Sequence, residues 1–247
     1  MLSEERKQRI CNYVNTQNAV TVQELMEELG ASEATIRRDL KELHRRGLLS
    51  KVHGGAVALP QQIKSDYTIA AREDVNQEEK INIARYATTL IQPNDLVFLD
   101  AGTTTSYLID YLEVPNVTFV TNAIIHAKKL SSKNYPVYLT GGQLKSTTEA
   151  LIGSECYSAL QRYRFSIGFF GTNAVNHTDG FTTPDPEEAK IKECAIIHTL
   201  SPYVLCDHSK FDLTAPVRFA DYQQACIIAA GNIPKAYCKD QTIIHLS

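Results

Sequence analysis

The stretch Ser32-Glu-Ala-Thr-Ile-Arg-Arg-Asp-Leu40 decides the fold of the amino-terminal part of this 247-residue chain. Ser32 is a residue type that caps helix starts by accepting a hydrogen bond from a free backbone N–H. Apolar residues then recur at helical spacing and predict one buried face, formed by Ile36, Leu40 and Leu43. The opposite face carries Ala34, Arg38, Lys41 and Arg45. The pattern predicts a helix with an apolar back and a basic front, a shape that the DNA major groove admits.

Short elements on both sides of this helix complete a known motif. Gly47 is expected to end the helix, and Lys51-Val-His-Gly-Gly-Ala56 predicts a hairpin that turns at its two glycines, which tolerate positive φ. Upstream, residues 3–16 have helical spacing, and Thr21 is placed to cap a second helix. Two helices, a tight turn, a basic helix and a hairpin form a winged helix-turn-helix, expected over residues 1–57.

Positive charge is concentrated on the basic helix and hairpin. Residues 36–53 hold six Lys or Arg and two acidic residues, a net charge of +4, while residues 1–56 together are only +1. The remaining 191 residues hold 16 basic and 20 acidic residues, a net charge of −4. A lone basic helix is usually a solvated face, so the arrangement rather than the global charge supports phosphate contacts. The DNA-contacting candidates are Ser32, Ala34, Thr35, Arg37, Arg38, Lys41, Arg45, Lys51, His53 and Gly54.

Length and composition predict a globular protein of one large domain or two unequal domains. A hydrophobic fraction of 43% over 247 residues can bury a large core. The sequence has no run of 18 apolar residues and no signal-peptide pattern, so a cytoplasmic protein without a membrane segment is expected. Six cysteines without a C-x-x-C pair predict buried reduced thiols, and the scattered histidines lack metal-site spacing, so no metal is expected.

After residue 57 the pattern changes to alternating strands and helices. Residues 58–75 lack a strong period and are expected to form a linker, and residues 78–91 have helical spacing. Short apolar segments predict seven strands, at 96–100, 117–120, 137–140, 166–171, 203–207, 225–230 and 242–246. Helices are expected between them, at 104–112, 123–131, 154–162 and 186–200. This alternation predicts an α/β domain with a mainly parallel sheet over residues 76–247.

Polar, glycine-rich residues stand where these strands end. The first strand runs into Asp100-Ala-Gly-Thr-Thr-Thr105 before a helix, so hydroxyls and free backbone N–H groups together suit a phosphate. Taken alone, that sequence also suits an ordinary helix cap. Other strand ends carry Asn122, Gly141, Gly142, 171–173 and 207–211. Because ligands of open parallel sheets bind outside the carboxyl ends of the strands, these residues predict one polar pocket. Two lysines, Lys192 and Lys210, are candidates to neutralise a phosphate.

Two nucleotide-binding motifs are missing from the sequence. It has no G-x-G-x-x-G, which leaves a dinucleotide site unsupported, and no G-x-x-x-x-G-K-[ST], which disfavours an NTPase. No cofactor is therefore expected.

These blocks together resemble the DeoR family of bacterial transcriptional regulators. The first block is Ala34-Thr-Ile-Arg-Arg-Asp-Leu40 with His53-Gly-Gly-Ala56. Further blocks follow in the family's order at 100–105, 120–123, 140–142, 180–183, 188–192 and 207–210. The resemblance implies a carboxy-terminal sensor domain similar in fold to sugar-phosphate isomerases of the ribose-5-phosphate isomerase type. It also implies a repressor of a sugar-catabolism or sugar-transport operon that a phosphorylated sugar controls, with the direction of that control left open.

The same resemblance implies a set of effector-contacting residues, namely Asp100, Gly102, Thr103, Thr104, Thr105, Asn122, Gly141, Gly142, Lys192 and Lys210. Two departures from the family pattern matter. Lys51 stands where the family often has Arg, which keeps a phosphate contact but not a bidentate one. Lys190 stands where an acid is common, so the choice between Lys190 and Lys192 as the ligand contact stays open.

Three function hypotheses compete. The first is a ligand-gated repressor that binds double-stranded operator DNA as a homo-oligomer, a dimer or a tetramer, because half-site recognition calls for symmetry. The second is a sugar-phosphate isomerase or deaminase, for which carboxylate bases are available, at Asp100, Asp179, Glu188 and Asp207. The third is a sensor that acts only through protein partners, which leaves the basic helix unexplained. The DNA-binding motif favours the first.

Overall fold

The computed structural model describes residues 3–17, 19–58, 61–63, 66 and 68–246. The chain divides into two compact units, Met1–Pro60 and Gln61–Ser247. Within the described ranges, no helix is both long and apolar enough to cross a membrane.

The smaller unit is a winged helix-turn-helix, as predicted. Its helices are α1 (Ser3–Gln17), α2 (Val22–Leu29) and α3 (Glu33–Arg45), and its strands are β1 (Ala19–Thr21), β2 (Ser50–Val52) and β3 (Gly55–Val57). The three strands form an antiparallel sheet in the order β1-β3-β2. The sequence reading missed β1, because three residues are too few to show a period and their pairing with β3 is a tertiary contact.

The helix ends of this unit differ in how they are capped. Thr21 and Glu24 form a capping box at α2, in which the Thr21 hydroxyl accepts a 3.1 Å hydrogen bond from the Glu24 backbone N–H. At α3 the expectation that the Ser32 hydroxyl accepts a capping bond from a backbone N–H is wrong. Ser32 occupies the N-cap position, but its hydroxyl lies 3.0 Å from the Thr35 hydroxyl and makes no cap bond. Gly47 follows the C-cap with φ 67°, which confirms its role in ending the helix.

The two glycines of the hairpin have different roles. The turn consists of His53 and Gly54, and only Gly54 takes a positive φ, of 83°. Gly55 is required for another reason, because a Cβ there would lie 2.0 Å from the carbonyl oxygen of Val20 in β1. The expectation that both glycines serve the turn is therefore wrong. Gly55 instead allows β1 to lie close to the hairpin of β2 and β3, which is the wing of the motif.

A buried ion pair joins α1 to α3. Asp39 is 1% exposed, and its carboxylate accepts a 2.6 Å bond from the Arg6 guanidinium. Around it, α1, α2 and α3 pack the apolar residues predicted to face inward, with Ile10, Leu25, Ile36 and Leu40 fully buried. The apolar back of α3 is thus held in the core, so its basic front faces outward.

The larger unit is built on a seven-stranded, entirely parallel sheet in the order β17-β16-β13-β10-β5-β6-β7. These strands are β5 (Leu96–Leu99), β6 (Thr118–Thr121), β7 (Val137–Leu139), β10 (Phe165–Gly171), β13 (Thr199–Asp207), β16 (Cys226–Ala230) and β17 (Ile243–Leu246). All seven predicted strands are confirmed. From β5 the next strands, β6 and β7, are added toward one edge of the sheet. From β10 the next strands, β13, β16 and β17, are added toward the opposite edge, so the strand order reverses between β5 and β10.

Helices cover both faces of the sheet. They are α4 (Ile69–Glu73), α5 (Gln77–Thr88), α6 (Thr103–Asp110), α7 (Ile124–Ser132), α8 (Ser154–Leu160) and α9 (Pro186–Ile197), with short 3-10 turns at His208–Lys210 and Tyr222–Gln224. Neighbouring residues of β5 belong to apolar clusters on opposite faces of the sheet. Val97 shares one cluster with residues of α5 and α6, and Phe98 shares the other with residues of α8 and α9. The predicted helix over 186–200 ends three residues early, because pairing with β10 draws Thr199 and Leu200 into β13.

Small strands complete the unit, none of which the sequence reading identified. They are β4 (Gln61–Gln62), β8 (Gln143–Lys145), β9 (Ala150–Ile152), β11 (Ala174–Asn176), β12 (Gly180–Thr183), β14 (Leu213–Thr214) and β15 (Val217–Ala220). The stretch 58–75, expected to be a linker, contains β4 and α4, and the larger unit begins at Gln61. The stretch 58–75 is ordered in part because β4 pairs with β14. The two strands lie far apart in the sequence, so no local period predicts the pairing.

Gly55→Ala is expected to destabilise the smaller unit by about 3 kcal/mol, the upper end of the usual overpacking cost, because the added methyl group overlaps the Val20 carbonyl oxygen. Calorimetry of the full chain measures the loss. Gly54→Ala is the matched control, since its site is open and the cost is only the positive φ, about 1 kcal/mol. Equal losses for the two variants would contradict the close-approach explanation.

Candidate functional site

The DNA-contacting candidates lie on one continuous part of the smaller unit. Ser32 is the N-cap of α3. Six others lie along that helix, namely Ala34, Thr35, Arg37, Arg38, Lys41 and Arg45. Lys51 belongs to β2, and His53 and Gly54 form the wing turn. Thr35 is half-buried and the others are exposed.

Ion pairing divides the cations of this unit into two groups. Arg6 pairs with the buried Asp39. Lys7 and Arg46 pair with Glu4 and Glu42, which link α1 to the end of α3. Arg37 pairs with Glu33, one turn earlier in α3. Arg9 pairs with Glu5 within α1. Among the described residues of the smaller unit, four cations have no acidic partner, namely Arg38, Lys41, Arg45 and Lys51. The unpaired charge thus lies on the front of α3 and on the hairpin, the two elements with which winged helices generally approach DNA.

The larger unit has a cavity of about 670 Å³ at the carboxyl ends of β5, β10 and β13. This is the edge where the strand order reverses between β5 and β10, the place at which ligands of open α/β sheets bind. Six of the predicted effector-contacting residues line it, namely Gly102, Thr103, Thr104, Thr105, Lys192 and Lys210. Strand-end reasoning therefore located the cavity.

Asp100 lies beneath the cavity. The residue is 1% exposed, and its carboxylate accepts a 3.0 Å bond from the Gly171 N–H and another from the Lys192 ammonium. Lys192 also donates to the Gly171 carbonyl oxygen at 3.1 Å. Asp100 is not a lining residue, and the charge of Lys192 is already paired. The pair joins β5, β10 and α9 below the ligand space.

The first turn of α6 supplies backbone donors to the cavity. Gly102 is the N-cap residue, and no side chain caps the helix. The first backbone N–H groups of a helix have no partner within it, and they carry the positive end of the helix dipole. Thr105 turns inward and donates to the Asp100 and Gly102 carbonyl oxygens at 2.8 and 3.0 Å. Thr103 and Thr104 remain partly exposed at the cavity wall.

Three other predicted effector residues do not line the cavity. Asn122 is buried behind it, where its side-chain oxygen accepts a 2.9 Å bond from the Ala101 N–H. Gly141 and Gly142 lie between β7 and β8 with φ of 77° and 108°. A Cβ on Gly142 would lie 2.4 Å from the Ile152 carbonyl oxygen, so this glycine serves a close approach to β9. These residues hold the site's scaffold in place rather than facing its ligand space.

Sequence reasoning missed two cations in the cavity wall, Arg72 of α4 and Lys80 of α5. Lys80 could have been found, because it lies three, four and seven residues before Ile83, Ala84 and Ala87 on the buried face of α5. Arg72 lies in the stretch expected to be a linker, where no period marked it. Of the two lysines left open, Lys192 lines the cavity, whereas Lys190 is exposed and pairs with Glu187 at 2.7 Å.

The cavity wall has an excess of positive charge. Four basic residues line it, Arg72, Lys80, Lys192 and Lys210, against two acidic ones, Glu188 and Asp207. Burial by itself raises the pKa of Asp207. Lys210 and hydrogen bonds from Ser209 and Asn76 outweigh that effect, so the pKa lies below its usual value and the carboxylate is ionised. Glu188 accepts bonds from Thr148 and Lys145, so it is also engaged.

Family comparison identifies the chain. Residues 6–62 match the DeoR-like helix-turn-helix domain, and residues 75–230 match the DeoR C terminal sensor domain. The chain belongs to the DeoR family. It is a DNA-binding transcriptional regulator, in agreement with the motif over residues 32–56.

Curated relatives of this DeoR-family regulator match along most of their length. An uncharacterized HTH-type transcriptional regulator FruR of Bacillus subtilis is 41% identical over 92% of this chain and 91% of its own. The HTH-type transcriptional regulator GlpR of Haloferax volcanii is 37% identical over 91% and 88%. The lactose phosphotransferase system repressor of Staphylococcus aureus is 34% identical over 85% and 84%.

Solved structures match this DeoR-family chain more distantly. A ribose 5-phosphate isomerase A from Methanocaldococcus jannaschii has 16% identity and a TM-score of 0.40 over 55% of each chain. The full-length sorbitol operon regulator SorC from Klebsiella pneumoniae has 12% identity and a TM-score of 0.39, covering 83% of this chain and 89% of its own.

Arg38→Ala and Lys41→Ala are each expected to weaken operator binding without loss of folding, because both side chains face away from the core. Loss of a base contact costs roughly 1–3 kcal/mol, whereas loss of a phosphate contact weakens all sequences alike and flattens the salt dependence. Fluorescence anisotropy with promoter DNA from neighbouring genes, titrated with salt, distinguishes the two. Arg9→Ala, at an exposed arginine of α1, is the control. Wild-type binding by both α3 variants would show that α3 is not the recognition helix.

The absence of a metal stays a prediction. Within the described residues, Glu79, Asp207 and His208 place possible ligand atoms within 4.8 Å of one another. Each of the three already has protein partners, because His208 Nδ1 and Glu79 are bonded at 2.7 Å and Asp207 accepts bonds from Asn76 and Ser209. Chelator treatment is therefore expected to change neither the melting temperature nor operator affinity. Stoichiometric zinc or iron in protein purified without added metal would overturn the prediction.

Proposed function

We propose that this DeoR-family regulator represses a sugar-catabolism or sugar-transport operon and that a phosphorylated sugar, bound in the cavity of the larger unit, controls it. The observation that carries the proposal is the excess of two positive charges in the cavity wall beside the first turn of α6. A phosphate dianion carries the complementary charge, and helix amides with hydroxyls and an ammonium replace the water that it loses.

The phosphate is placed at residues 102–105, with Lys210 as its ammonium partner. Lys192 was the other candidate, but its charge is paired with Asp100, so it contributes mainly by holding the loop. The Lys210 ammonium lies 3.7 Å from Asp207, which is longer than a hydrogen bond and leaves its donors available.

The rest of the wall suits a sugar. Polar side chains in the lining can meet hydroxyl groups in several directions, from Thr148, Asn173, Glu188 and Ser209. Ile63, Leu205 and Leu213 add apolar surface for the carbon face of the ring. The relatives' names add support, since they include FruR, GlpR and a lactose phosphotransferase system repressor.

The isomerase or deaminase alternative is less well supported. A catalytic base needs a carboxylate free to reach a substrate proton. Asp100 is paired with Lys192 below the cavity, and Asp179 is bonded to Asn176 and does not line the cavity. Glu188 accepts bonds from Thr148 and Lys145, and Asp207 accepts bonds from Asn76 and Ser209. The named relatives are regulators and repressors.

Operator DNA and a second copy of the chain are the proposed macromolecular partners. Half-site recognition by a winged helix calls for at least a dimer, with a tetramer as the alternative. A ligand changes DNA affinity only if it binds two conformations unequally. The phosphate is expected to draw inward the loops after Gly171 and Asp207, which border the cavity.

Thermal shift and operator release, measured with a panel of sugar phosphates and their unphosphorylated parents, test the proposal. One or two phosphorylated sugars are expected to act, and the free sugars to be silent, because the charge excess needs an anion. Thr104→Ala and Lys210→Ala are expected to lose the response while retaining operator binding.

Lys190→Ala is the matched control for Lys210→Ala, because Lys190 is exposed and outside the cavity. It is expected to respond like the wild type. A neutral sugar that acts as well as its phosphate, or a full response in both cavity variants, would refute the phosphate site.

A further inference from the structure

The first segment of the larger unit forms part of the cavity wall. Ile63, Ala71, Arg72 and Val75 all line the cavity. The same segment follows directly in the chain from the winged helix-turn-helix, which ends at Pro60. Any group that a ligand contacts here therefore lies on the polypeptide that leads to the DNA-binding unit.

Several bonds hold this segment against the larger unit. The Asp66 carboxylate accepts a 2.6 Å bond from Lys145 and a 3.1 Å bond from the Asn173 amide. The Ile69 N–H donates to the Thr147 carbonyl oxygen at 3.3 Å. These anchors lie just before α4 and at its first residue, so they hold that short helix at the cavity wall.

Arg72, in α4, has unused hydrogen-bonding capacity. Its Nε is buried and has no hydrogen-bond partner in the described part of the chain. A buried donor without a partner costs free energy, and this one belongs to a guanidinium in the wall of a cavity. Its carbonyl oxygen is in use, because it accepts a bond from the Lys80 ammonium.

Lys80 adds a second, deeply buried cation. It is 3% exposed, lines the same cavity and forms no ion pair within the described residues. Burial lowers the pKa of Lys80. Asp207 opposes this effect, but the nearby charges of Lys210 and Arg72 lower the pKa further. Three cations thus converge here against two carboxylates, those of Asp207 and Asp74. Asp207 is itself bonded to Asn76 and Ser209.

We propose that Arg72 and Lys80 bind the anionic group of the effector, so that α4 is the element through which the protein senses an occupied cavity. The inference rests on the proposed function, because it concerns the same cavity and an anionic ligand. A guanidinium presents parallel N–H donors that match a phosphate, and the unpartnered Nε is one of them. Lys80 binds the Arg72 carbonyl oxygen, so it fixes α4 while contributing its charge.

The physical consequence is a ligand-dependent change in the stability of α4. A five-residue helix is too short to be stable alone, so its order depends on such contacts. An anion bound to Arg72 adds contacts to α4 that the empty cavity lacks. This ordering is the differential interaction that lets a ligand shift a conformational equilibrium.

Hydrogen exchange of the full chain in millimolar inorganic phosphate tests the inference, with sodium chloride of equal ionic strength as reference. In the wild type, phosphate is expected to slow exchange of backbone amides at 69–76 as well as at 103–106. Arg72→Gln is expected to abolish the slowing at 69–76, to keep it at 103–106, and to weaken phosphate binding about tenfold. Lys190→Gln, a neutralised lysine outside the cavity, is expected to behave like the wild type.

Arg72→Lys provides a second variant if Arg72→Gln disturbs folding. It keeps the charge but loses the fork of parallel donors, so partial slowing at 69–76 is expected. Slowing at 103–106 alone in the wild type would overturn the role of Arg72 and Lys80 while leaving the proposed phosphate site intact. No slowing at either place, together with no binding by calorimetry, would overturn both.

Discussion

The buried Asp100 carboxylate is the interaction on which the larger unit depends. It joins the end of β5 to the Gly171 N–H at the end of β10 and to Lys192 of α9, at the one edge where the strand order reverses. Removal of one partner would leave a buried charge without compensation, a costly state. Because this pair closes the floor of the cavity, the loops above it can carry ligand-binding groups instead of structural ones.

That arrangement decides which charges are available to a ligand. Lys192 is neutralised by Asp100, and Glu188 is held by Lys145 and Thr148. The charge left in the wall comes from Arg72, Lys80 and Lys210, with Asp207 as the shared anion. The cations of the winged helix-turn-helix are likewise either paired in the interior or unpaired at the surface. Asp39 neutralises Arg6 inside the unit, while the front of α3 carries unpaired cations. In both units, internal ion pairs hold the fold, and the remaining cations lie on an outward helix face or in a cavity wall.

Much of both units follows from local pattern. The apolar stripe through Ile36 and Leu40 predicted α3 and its outward basic face, and short apolar runs predicted all seven strands of the parallel sheet. The rule that ligands lie beyond strand ends then located the cavity at residues 102–105. The small strands β4 and β14 escaped detection, because two-residue strands have no period and exist only through each other.

The sequence by itself determined the winged helix-turn-helix, the parallel α/β architecture and the family, because hydrophobic periodicity and motif spacing are local properties. Only the tertiary structure decided what the polar residues do. Gly142 serves a close approach to β9, Lys192 is paired with Asp100, and Arg72 lies in a cavity wall rather than a linker. The reason is that partners far apart in the chain set each group's charge and hydrogen bonding. The bonds of Asn122 to Ala101 and of Asn76 to Asp207 join residues 21 and 131 positions apart.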